Sequence, residues 1–180
     1  MGKKSLVSGL IAGGILVGLF LLSHLLFMKD FKPEMWEVGE IVGYSSMIIA
    51  LTAIFFGIKN YRDKVLAGKI SFGKAFLLGL GISAVASVIF GIYVYLLYTV
   101  ISPDLTDKMI ECYRERIKTS GETQQVITQE LEKFQMEEPM WRNPFLQSFA
   151  MIVTVLVIGI LISLVSAAIL RRKEPALTNT

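Results

Sequence analysis

The sequence predicts an all-α membrane protein: a four-helix transmembrane bundle with an extracytoplasmic helical hairpin between spans three and four. Three observations predict it. Of the 180 residues, 53% are hydrophobic and 18% charged, with a mean hydropathy of +0.59, whereas an ordinary soluble domain carries about 25% charged residues. The charges cluster, leaving four long runs with none or almost none. The segments between those runs alternate between basic and acidic. Residues 1–180 read as a single membrane domain.

A helix that crosses about 30 Å of hydrocarbon needs roughly 20 apolar residues, because lipid leaves no partner for an unpaired backbone group. The first run, Leu6 to Met28, contains one ionisable residue, His24. The second, Ile41 to Ile58, has none and is the shortest. The third, Ala75 to Ile101, has none and is long enough to tilt; the fourth, Phe145 to Leu170, has Gln147 near its start. Lys3 and Lys4 ahead of the first run resemble a signal-peptide start. The run is too long for such a peptide and no A-x-A site comes after it, so a retained helix is expected. Leu6 stands where myristoylation requires Ser or Thr.

Lys and Arg concentrate on the cytoplasmic side of membrane proteins. Lys3 and Lys4 open the chain. Lys59, Arg62, Lys64, Lys69 and Lys74 fill the second connection against Asp63 alone, and Arg171, Arg172 and Lys173 come after the last run against Glu174. The first connection carries Asp30, Glu34, Glu37 and Glu40 against Lys29 and Lys32, and the third is also net acidic. Both termini are therefore expected in the cytoplasm. Trp36 and Trp141, with Tyr93, Tyr95 and Tyr98 towards the same side, are expected to form an interfacial aromatic belt.

Between spans three and four, Ser102 to Asn143 is too polar to cross a membrane and too patterned for a loose loop. Ser102-Pro103-Asp104 reads as N-cap, first-turn proline and acid, and Leu105, Met109, Cys112, Tyr113 and Ile117 continue at helical spacing. Gly121 marks a stop. A second helix is expected from about Glu122 to Glu138, ended by Pro139, with Ile127, Leu131 and Phe134 on one face. Asn143-Pro144 repeats the cap-then-proline signal for the last span. The two stripes either pack on each other or dock another protein.

Small residues form the most ordered pattern. Gly79, Ser83, Ser87 and Gly91 recur every fourth residue in span three. Gly9 with Gly13, and Gly14 with Gly18, make two GxxxG pairs in span one. Span two carries Gly43, Ser46, Ala50, Ala53 and Gly57, and span four carries Gly159, Ser163 and Ala167. Such faces let helices approach at backbone distance in lipid, where apolar surface alone gives no association. They serve packing within the chain or contact with a second copy. On span three, Val85 and Ile89 are expected on the opposite, unpacked face.

Little else suggests chemistry. His24 is the only histidine and lies near a span end with no charged residue at its depth, so a structural role is expected. Cys112 is the only cysteine, which excludes an internal disulfide, a CxxC pair or a thiolate metal cage. It is either a buried thiol or one half of an intermolecular bridge. No phosphate-binding glycine motif, HExxH or paired catalytic carboxylates are present, and the spacing of Glu34, Glu37 and Glu40 fits no metal-ligand pattern. No cofactor, metal or nucleic acid is expected. The basic stretch Lys59 to Lys74 either fixes topology or also attracts anionic headgroups.

Several stretches together resemble one family. Glu37 to Leu51 (EVGEIVGYSSMIIAL), Phe55 to Lys64 (FFGIKNYRDK) and Gly68 to Phe76 (GKISFGKAF) are joined by Asn143-Pro144 and Leu161 to Lys173 (LISLVSAAILRRK). They are similar to short bacterial membrane proteins grouped as domain of unknown function 4199, over nearly the whole chain and most specifically from Gly43 to Phe76. The resemblance implies a multi-pass protein of the bacterial inner membrane with no assigned activity. The leading expectation is a non-enzymatic protein of the lipid bilayer that contacts another envelope protein or a second copy of itself. The alternative is a small oligomeric transporter or channel, against which no span carries a buried acid or base to couple ions.

Overall fold

A computed structural model describes residues 2–27 and 33–172. The helices are α1 (Gly2–Phe27), α2 (Trp36–Leu51), α3 (Ala53–Val65), α4 (Phe72–Leu96), α5 (Leu105–Lys118), α6 (Gln124–Trp141) and α7 (Pro144–Leu170). A 3-10 turn, Pro33–Met35, leads into α2, and a π-helical turn, Leu97–Ile101, extends α4. Among the described residues the only β contact is an isolated antiparallel bridge between Ile70 and Arg172. Four helical stretches are long and apolar enough to cross a membrane: Gly2–Leu26, Trp36–Val65, Phe72–Ile101 and Pro144–Leu170. Met28, Lys29, Asp30, Lys32, Lys173 and Glu174, which bear on the span ends and charge balance, lie outside the described residues.

Local chemistry sets the helix starts. The Asn143 side chain accepts from the backbone N–H of Phe145 at 3.0 Å and of Leu146 at 3.3 Å, with Pro144 in the first turn. This is the expected cap, and it satisfies donors that a helix start leaves open. Ser71 caps α4 in the same way through Lys74 N–H, at 3.4 Å.

The second span departs from expectation: it is not the shortest. α2 and α3 run nearly continuously, because Thr52 keeps helical angles (φ −60°, ψ −21°) and its hydroxyl bonds back to the Ile49 carbonyl at 2.6 Å. The unit Trp36–Val65 has 30 residues, as many as Phe72–Ile101. An apolar run marks what fits in lipid, and a helix does not stop where lipid does. Lys59, Arg62 and Lys64 therefore ride on helix, and the turn to α4 is short. That turn places Ala67 at φ 48° and Gly68 at φ 83°.

α4 is central. One face meets α7 through small residues: a β-carbon on Gly79 would lie 2.6 Å from Ser163 Oγ, and one on Gly159 would lie 2.5 Å from Ser83 Oγ. The opposite face receives α1, where a β-carbon on Gly13 would lie 2.9 Å from Ile89 Cδ1. Ile54, Ile58, Ile82, Phe90 and Val155 are fully buried in the core around these contacts. Near one end Phe20 and Phe90 meet edge to face, with centroids 4.7 Å apart.

The spans alternate in direction. A β-carbon on Gly57 would lie 3.1 Å from Ser8 Oγ, and Arg62 donates to the Leu170 carbonyl at 3.4 Å. Arg172 N–H donates to the Ile70 carbonyl at 3.0 Å. The start of α1, the end of α3, the start of α4 and the end of α7 thus share one end, which gathers most of the lysines and arginines of the spans and their turns. The buried guanidinium of Arg62 sits at the carboxyl end of α7, where a helix favours a cation.

The other end carries a cap of α5 and α6. Ile110, Ile117 and Phe134 form its core, with Ile127, Leu131 and Tyr113 around them, and Gly121 turns the chain at φ 78°. Two boundaries differ from those the sequence predicts. Ser102 is not the cap of α5: its N–H closes the π turn onto the Leu97 carbonyl at 2.8 Å, and the helix begins at Leu105. Pro139 does not end α6, which continues to Trp141. A proline so near a helix end removes one bond, and here Arg142 N–H still reaches the Glu138 carbonyl at 3.0 Å.

Candidate functional site

Trp36, the first residue of α2, is 8% exposed and stacks near Tyr113 (centroids 5.2 Å apart) and Trp141 (6.3 Å). Tyr113 and Trp141 in turn meet Phe134 at 4.7 Å and 5.5 Å. The two tryptophans, which the sequence places in an interfacial belt, pack on each other and on Tyr113 of the cap. They seam the cap to the bundle. Trp36 Nε1 donates to Glu40 at 2.8 Å, and Arg116 lies 5.9 Å over the Trp36 ring.

Ionic contacts tie the cap together. Glu138 accepts from Arg114 and, at 2.8 Å, from Arg142 Nε, while Arg142 also reaches Asp107 at 2.5 Å. The bond from Arg142, with the nearby positive charges adding to it, holds the Glu138 carboxyl below its ordinary value. Lys108 does the same for Asp104, across 2.5 Å.

Beneath the cap lies a cavity of about 560 Å³, bounded by α1, α2, the π turn, α5, α6 and α7. Met35, Met47, Met109, Met140 and Met151 all line it, together with Phe20, Trp36, Tyr93 and Trp141. The π turn inserts one residue into α4, which rotates the chain beyond it and brings Leu97 and Tyr98 onto the cavity wall. It also brings Ser102 to His24: Nε2 and the hydroxyl are 3.1 Å apart. Tyr98 OH donates weakly to Met109 Sδ, at 3.7 Å. Tyr93 is 7% exposed, and its buried hydroxyl has no hydrogen-bond partner among the described residues.

Of the small residues picked from sequence, Gly79, Ser83, Ser87 and Gly91 line the buried face of α4. Gly91 lies against Ile152 of α7, and Ser83 Oγ sits 2.9 Å from the Gly79 carbonyl and 3.4 Å from Ser163 Oγ. Gly9 and Gly13 lie against Val85 and Ile89. Those two residues are therefore not on an unpacked face, because the glycines of α1 admit them at backbone distance. Gly14 and Gly18 meet nothing within 4 Å. Glu37 and Glu40 of the first connection turn to separate partners: Glu40 is bonded to Trp36, and Glu37 lies 3.8 Å from Arg116. Among the described residues no three of His, Cys, Asp and Glu group as metal ligands would. Cys112 is buried in α5.

Sequence reasoning missed Tyr93 as a site residue, because its position near a span end reads equally well as a belt tyrosine. It also missed the cavity. The one signal for it was the methionines, which period analysis treats as ordinary core.

The fold, with four helical stretches long and apolar enough to cross a membrane, defines a multi-pass helical membrane protein. The chain belongs to the family described as a protein of unknown function (DUF4199), whose profile matches residues 8–172. No curated protein and no solved structure matches it.

Proposed function

We propose that this is a non-enzymatic protein of the bacterial inner membrane that binds another envelope protein through its cap, with both termini in the cytoplasm. One observation carries the reading: the aromatic seam of Trp36, Tyr113, Phe134 and Trp141 fastens the cap to the bundle. Such fastening is needed to present a surface and is not needed for a mere connection. The cap's back is exposed and acidic, with nine acids against six bases across residues 102–143, and Met136 stands out at 75% exposure. A photo-reactive residue placed at Met136 should give one adduct of defined mass in cells, and the same residue at the exposed Val157 of α7 should not. Absence of a discrete adduct at 136, or equal adducts at both positions, overturns the reading.

The cavity favours a second reading, the small oligomeric transporter. The contacts of Gly79 and Ser83 with Ser163 and Gly159 weigh against it, since they close the bundle below the cavity.

A further inference from the structure

Between α1 and α3, at the basic end of the bundle, lies an open groove of about 660 Å³. Ala53, Phe56, Gly57, Asn60 and Lys64 recur three or four residues apart and make one helix face of its α3 wall. Ser8, Ile11 and Ile15 make its α1 wall. Gly57 brings the walls together, since a β-carbon there would lie 3.1 Å from Ser8 Oγ. Because α3 runs towards the basic end and α1 runs away from it, the groove is graded along its length. Ala53, Phe56 and Ile15 line its deep, apolar part, and the exposed Lys59, Asn60 and Lys64 line its outer part. At 1.5 Å per residue, about 16 Å separates Ala53 from Lys64. Asp63, which also lines the outer part, is paired with Arg62 Nε at 2.6 Å.

A phospholipid presents its groups in the same order, with phosphate outermost, then glycerol esters, then acyl chain. Basic pockets between spans are where anionic headgroups bind, each lysine near the surface contributing attraction. Lysine stems are long and flexible, so two lysines flanking a groove reach one phosphate from either side. A second copy of the chain fits less well. Inserted the same way, it would bring its own basic end to that level, like charge against like. The match holds whichever way the protein crosses the membrane, because phosphates lie at both surfaces.

We propose that this groove holds one anionic phospholipid. The ammonium groups of Lys59 and Lys64 take its phosphodiester, the Asn60 amide donates to a glycerol ester oxygen, and an acyl chain lies along Ile11, Ile15 and Phe56.

Native mass spectrometry of the full-length protein in a neutral detergent tests this, with phosphatidylglycerol and phosphatidylcholine of matched chains added together. One phosphatidylglycerol per monomer is expected to be retained in preference to phosphatidylcholine, and excess glycerol 3-phosphate should not displace it. Lys59→Gln with Lys64→Gln should weaken that binding about 25-fold, at about fivefold for each lysine beside the phosphate. Lys74→Gln with Arg171→Gln removes the same charge from the same end outside the groove and should leave binding unchanged. Ile15→Trp, on an exposed wall residue, should fill the apolar part and lower retention of both lipids. Equal retention of the two lipids, displacement by glycerol 3-phosphate, equal loss in the two charge variants, or a lipid-free dimer overturns the proposal.

Discussion

Ser83 shows how little room the centre of the bundle leaves. Its hydroxyl is fully buried between its own helix carbonyl at Gly79 and the Ser163 hydroxyl, and Gly159 faces it without a side chain. In lipid, where apolar surfaces do not drive helices together, this closeness is what associates them. Ser83→Leu should therefore force α4 from α7 and cost about 1–3 kcal/mol. Val88→Leu, on a residue 51% exposed, should change stability by no more than about 0.5 kcal/mol. Thermal aggregation of the purified protein in one detergent compares them, and equal shifts would show that the contact does not hold the bundle. Val85 and Ile89 are no controls for this comparison, since both are seated on the glycines of α1.

The elements differ in what fixes them, and so in how far the sequence reveals them. The spans are legible because lipid imposes one demand, an uninterrupted apolar run, and Leu6 to Met28 or Phe145 to Leu170 meets it without ambiguity. The start of α7 is legible because Asn143-Pro144 is local chemistry. The end of α6 is not, because Pro139 is overruled by the packing of Trp141 against Trp36 and Tyr113, contacts distant in sequence. The π turn is invisible for the same reason: nothing in Leu97–Ile101 distinguishes it, and its benefit lies in where it sends Ser102. The α5–α6 pair is an element whose stability should respond to acid. Its folded state holds Glu138 below the ordinary carboxylate value of 4.5, so the unfolded cap takes up the proton first. The stabilisation is complete above that ordinary value and is lost as pH falls through the lower folded one. Protease cleavage of the cap should rise over that interval in the wild type, and Glu138→Gln should be cleaved more readily at neutral pH with a smaller further rise, the part that Asp104 still contributes.

At the scale of the molecule, the two ends are chemically unlike. Nine bases accompany one end in and between the helices (Lys3, Lys4, Lys59, Arg62, Lys64, Lys69, Lys74, Arg171 and Arg172), and the acidic cap occupies the other. The proposed orientation, with the cap outside, rests on the cost of moving such a basic end across a membrane. A cysteine at Thr119 with Cys112→Ser should react with an impermeant thiol reagent once the outer envelope alone is opened. A cysteine at Lys69 should react only after the inner membrane is permeabilised. The reverse pattern would invert the protein and remove the cap from envelope partners.

The π turn between bundle and cap has a consequence for exchanging parts among relatives. An α-helix advances about 100° per residue, so one residue more or fewer between Phe90 and Leu105 swings everything beyond it by more than a quarter circle. In such a swap Tyr113 would leave Trp36 and Ser102 would leave His24. A hybrid carrying this cap on a cousin's bundle must therefore match the count of residues across that joint before it matches their kind. Length, more than composition, is what this junction inherits.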